Sequence, residues 1–156
     1  MSFPRTTAGA VPIITRTEYT HDSSTITSSP FYASFSMVRE GLIRRIRAMG
    51  TKNDGTPRGA PLPFELSLYE KNPEGSDGTD GVHRIATYRV HSKNETVFPG
   101  TDDWVLDSEE EMYYQLTGLS KTSRVGTLYI SIKAIGSGGI NKFVLVLDVQ
   151  EAGGAS

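Results

Sequence analysis

The stretch VREGLIRRIRAMG, Val38 to Gly50, is where an all-β chain and a mixed one part company. Val38, Leu42, Ile43, Ile46 and Met49 recur at helical spacing. Leu42, Ile46 and Ala48 also fit one face of a strand, apart from Arg44 between them. We read a strand, because Gly41 is poor in a helix interior and useful in a β-bulge. The runs on either side of this stretch favour the same reading. Phe64, Leu66 and Leu68 share one face of FELSLYE. Leu128, Ile130, Ile132 and Ala134 share one face of GTLYISIKA, opposite Tyr129, Ser131 and Lys133. KFVLVLDVQ (142–150) is apolar on both faces in its middle, as befits a central strand of a packed sandwich. The GSGG at 136–139 predicts a hairpin between these last two runs. RIATYRV (84–90) and MYYQL (112–116) add two more β-rich segments.

Between the runs lie clusters of Gly, Pro, Asn and Asp at 51–61, 72–81 and 91–103, residues that supply the backbone angles of turns. Short strands with regular turn signals predict an all-β chain, an antiparallel β-sandwich or jelly roll of about 7–8 strands with an extended N-terminal arm. The length of 156 residues suits one domain. Residues 1–30 are rich in Ser and Thr and broken by Pro4, Pro12 and Pro30, so they read as a polar arm. Within it Ile13 to Thr20 is a β-branched run able to add to a sheet edge, with Ile13, Ile14, Arg16 and Tyr19 as its interface candidates. The β-sandwich domain is placed at 31–150 and a flexible tail at 151–156.

Composition narrows the chemistry. The chain has no Cys, which removes disulfides, thiolate metal sites and Cys nucleophiles. A net charge of −2 gives no reason to expect nucleic acid as a partner, and no apolar run has the length of a membrane span. There is no G-x-S-x-G elbow, and Gly50 to Thr56 lacks the Lys of a phosphate-binding loop. His21, His83 and His91 have no metal-ligand spacing. We therefore expect a protein that is not an enzyme and takes no cofactor.

Two charged stretches stand out instead. TDDWVLDSEEE (101–111) sets Asp102, Asp103, Glu109 and Glu110 around the single tryptophan, Trp104. Such a loop could hold a hard cation or contact a partner, or it could be plain solvated surface. Arg44, Arg45 and Arg47 head a basic stretch of comparable size. Copies of one chain could satisfy the two stretches against each other, a head-to-tail contact. A carbohydrate-binding or adhesive module, calcium-dependent through its acidic loops, is the alternative; there Trp104, Tyr113 or Tyr114 would stack on a sugar.

The succession GLIRRIRAMG, PFELSLYEKN, RIATYRV, MYYQL, GTLYISIKA and FVLVLDVQ, spread over residues 38–150, resembles the small β-sandwich virion proteins of tailed bacteriophages. The resemblance rests on strand order and on phrases such as LSLYE rather than on a catalytic motif. It implies a structural subunit located in the virion, in the neck, tail, baseplate or head decoration. Its partners would be copies of itself and other virion proteins, with no membrane.

Overall fold

The computed structural model describes residues 13–52, 60–74, 84–90, 104–116, 123–135 and 139–151. These residues form ten strands and no helix. The first sheet holds β1 (Ile14–His21), β10 (Lys142–Glu151), β3 (Glu40–Lys52) and the short β4 (Ala60–Pro61) in that order. β7 (Leu106–Ser108) and β8 (Met112–Gln115) also pair with β3. The second sheet runs β2 (Phe31–Val38), β9 (Val125–Ala134), β5 (Phe64–Tyr69) and β6 (Arg84–Val90). Every pairing is antiparallel.

Each sheet turns one apolar face to the other, which is why alternation in sequence becomes burial in space. Leu128, Ile130 and Ile132 of β9 and Phe64, Leu66 and Leu68 of β5 are fully buried, as their period-two spacing predicts. Phe143, Leu145, Leu147 and Val149 of β10 meet them from the other sheet. The rings of Phe64 and Phe143 cross the gap edge to face at 5.2 Å. Burying each such side chain is worth about 1.5–3 kcal/mol. At one side of the sandwich Tyr19 stacks on Phe35 at 5.8 Å and His21 lies against Phe31 at 4.2 Å, joining β1 to β2. His21 is held there through its Nε2, shared between the Ser24 carbonyl at 2.8 Å and the Ser24 hydroxyl at 3.1 Å. At the other side the Tyr88 hydroxyl of β6 donates to Glu110 at 2.9 Å, between β7 and β8.

The stretch at 38–50 is a strand, with an interruption the sequence did not disclose. Asp148 faces Arg45, yet Val149 faces Ile43, so Arg44 is an extra residue in β3 and forms a bulge. The buried positions are Gly41, Ile43, Ile46, Ala48 and Gly50. The step of three between Ile43 and Ile46 is what imitates helical spacing. Leu42, grouped in sequence with Ile46 and Ala48, lies instead on the outer side and is half-buried. Nor does Gly41 make the bulge. A Cβ at Gly41 would collide with the Gln150 carbonyl oxygen of β10, so glycine there allows two backbones to approach.

One further expectation is corrected, and one strand is added. β9 and β10 are not a hairpin: they belong to different sheets, and just before β10 Ile140 makes reciprocal main-chain bonds of 2.7 and 2.8 Å with Ile26. The added strand is β2, FYASFSMV. Its inward residues Phe31, Ala33, Phe35 and Met37 alternate with the exposed Tyr32, Ser34 and Ser36, the period-two pattern of a half-buried strand.

Candidate functional site

The broken ladder of β3 organises the charges. β7 pairs with Ile46 to Ala48, and β8 with Glu40 to Ile43. Arg44 and Arg45 at the bulge therefore lie opposite Glu109 to Glu111, the three residues between β7 and β8. A bulge sets two successive side chains toward the same face, so both arginines reach the outer side of the first sheet. Arg45 grips Asp107 with two bonds of 2.9 Å. Arg44 lies 3.5 Å from Glu111 and donates to Gln150 at 2.6 Å. The Arg45 guanidinium holds the Asp107 carboxyl below its ordinary pKa, through its hydrogen bonds first and its charge second.

Arg47 completes the cluster. Its guanidinium lies 5.2 Å from the centre of the Trp104 ring and 3.8 Å from Asp148, which also takes a 3.1 Å bond from Arg16 of β1. A cation on an indole face exchanges hydration for ring contact, and here it roofs the outer face where Arg47 stands opposite Val146. Val146, the cross-strand neighbour of Arg47, is buried although it points away from the core.

The basic and acidic stretches thus meet inside one chain. Arg44, Arg45 and Arg47 are paired with Glu111, Asp107 and Asp148, and Trp104 covers Arg47 instead of standing free. Glu110 is engaged by Tyr88, and burial together with that bond raises the Tyr88 hydroxyl well above its ordinary pKa. Glu109 is exposed beside this cluster. Asp102 and Asp103 lie outside the described residues. Ile13, Ile14, Arg16 and Tyr19 sit on β1 and at its entry, and Tyr19 turns inward. Both charged stretches are visible in the sequence, but the pairing of β3 with β7 is not, because the strand in WVLDS is only three residues long and gives no periodic signal.

Of the aromatics considered as a sugar platform, Tyr114 is fully buried and donates to the Val38 carbonyl at 2.7 Å. Trp104 carries Arg47 on its ring. Tyr113 alone is open, at 55% exposure, with its hydroxyl donating to Glu40.

No protein-family model matches the chain, and no curated protein matches it. Among solved structures, one of Desmodium yellow mottle tymovirus is similar over 97% of this chain and 94% of that chain, at 11% identity and a TM-score of 0.31. At that score the likeness carries no argument about function.

Proposed function

We propose that the protein is a non-enzymatic structural subunit of a virus particle that works through contacts with copies of itself and with other virion proteins. The observation that carries this reading is the nested order of pairing. β1 pairs with β10, β2 with β9, β3 with β7 and β8, and β5 with β6. One long hairpin folded over on itself gives this order, and we read it as a jelly roll, the architecture of many viral coat and lectin domains. The sequence resemblance to β-sandwich virion proteins of tailed phages points the same way and would place the subunit in the neck, tail, baseplate or head decoration. The lectin alternative is disfavoured by the commitment of Trp104 and Tyr114 to the protein's own packing. Quantitative mass spectrometry of purified particles is the test. A fixed, multiple copy number per particle is expected, and absence of the protein from particles would overturn the reading.

A further inference from the structure

The two ends of the first sheet are built differently. At one end β4 is two residues long and contains Pro61, which cannot donate to a further strand. At the other end β1 runs for eight residues, ITRTEYTH, without Pro, Lys or a bulge, and its outer edge pairs with nothing among the described residues. Such an edge is a template for another strand unless it is covered. Beside it a groove of about 220 Å³ opens between β1 and β2, lined by Thr15, Thr17, Met37, Val38, Val125 and Val149. Ile13 and Ile14 at the start of β1 and Val125 in the groove are 79%, 46% and 53% exposed.

We propose that this edge is the seam of a two-fold dimer, in which β1 pairs antiparallel with β1 of a second copy, centred on Thr17. The charge order of the strand selects both occupant and register. A two-fold axis across an antiparallel pair sets one residue opposite itself. Centring on Arg16 or Glu18 would oppose like charges. Centring on Thr17 puts Arg16 opposite Glu18 of the partner subunit twice over and overlaps residues 13 to 21 completely. Arg16 and Glu18 both lie on the outer face, in register with Asp148 and Val146 of β10. Glu18 makes no ion pair among the described residues, so its charge is available. The first sheet would continue from β10 through both copies of β1, and the apolar groove would be covered at the same seam.

This names a partner for the structural-subunit reading and rests on it, but the two can fail separately. The chain has no Cys, so Thr17→Cys introduces one thiol that would face its own copy across the axis. Mild oxidation of the full chain should give a covalent dimer, whereas Thr20→Cys, which would face Ile14 of the partner subunit, should not cross-link. Glu18→Arg should weaken the dimer about tenfold in sedimentation equilibrium, because each of two pairs turns from attraction to repulsion. Mixing Glu18→Arg with Arg16→Glu should restore association as a heterodimer. Failure of Thr17→Cys to cross-link while folded by circular dichroism, equal cross-linking of Thr20→Cys, or no rescue on mixing would each overturn the seam. Were Thr17→Cys to misfold, the charge-reversal pair decides alone. Cross-linking in a protein missing from particles would sink only the virion reading.

Discussion

β9 and β3 are both inner strands, one in each sheet, and they fill the core by different rules. β9 buries Gly126, Leu128, Ile130, Ile132 and Ala134, every second residue without a break. β3 buries Gly41, Ile43, Ile46, Ala48 and Gly50, with one step of three where Arg44 is inserted. The outer residues of the unbroken strand are spread evenly, at every second position. The bulged strand spends one residue to bring Arg44 and Arg45 to the same side, where Arg45 finds Asp107 of β7 and Arg44 finds Glu111 just before β8. Regularity therefore keeps the apolar set on one face, and even the outer Lys133 pairs only with Glu65 of the neighbouring strand. The interruption marks where side chains are aimed.

The most severe way to break this comparison lies in β9. Ile130→Asp puts an unpaired carboxylate at a fully buried position, a cost of several kcal/mol against a total stability of about 5–15 kcal/mol, so soluble folded protein should be lost. Tyr129→Asp, on the outer face of the same strand, should retain expression and the circular dichroism of a β protein. Equal outcomes would remove the face assignment.

The bulge can be tested by ranking neighbours in β3. Ile43→Ala should cost about 2–5 kcal/mol in urea unfolding, and Leu42→Ala clearly less. An unbroken pleat in phase with Ile46 would reverse that order. A smaller loss, about 1–3 kcal/mol, is expected for Gly41→Ala, because the new methyl group forces β3 away from the Gln150 carbonyl. Wild-type stability in that variant would show that the two backbones are not so close.

The smallest effect belongs to the ion pairs. Asp107 has a folded pKa below its ordinary 3.8, so the unfolded chain takes up the proton first. The stabilisation is fully present above the ordinary value and fades as pH falls through the lower, folded one. Asp107→Asn should flatten that acid limb in a series of unfolding curves taken below about pH 5. Because the pair is open to solvent, the loss at neutral pH should stay below about 1 kcal/mol. An unchanged acid limb would mean that Arg45 does not favour the Asp107 charge.

How far the sequence could be read follows from the same contrast. The strands at 64–69, 84–90, 112–115, 125–134 and 142–151 announce themselves through alternation or β-rich composition. β3 was readable as a strand but not in its phase, because a single inserted residue gives the hydrophobic pattern two periods at once. β7 was too short to carry any pattern, whereas β2 does alternate, with Phe31, Ala33, Phe35 and Met37 on one face and Tyr32, Ser34 and Ser36 on the other, and was legible in principle. The charged stretches were visible as composition. Their meeting was not, since Arg45 and Asp107 are 62 positions apart and nothing in either segment encodes the other.

By itself, then, the sequence determined an all-β chain with two apolar faces, because side-chain direction alternates along any strand and burial selects the apolar set. It also excluded cysteine chemistry outright. Partner choice was left to the tertiary structure. Which strands are neighbours, that β9 and β10 belong to opposite sheets rather than to one hairpin, and that β1 is left at an edge are consequences of how two sheets close over one core. Those contacts join residues far apart in the chain, and their free energy depends on the packed whole rather than on any local run of residues.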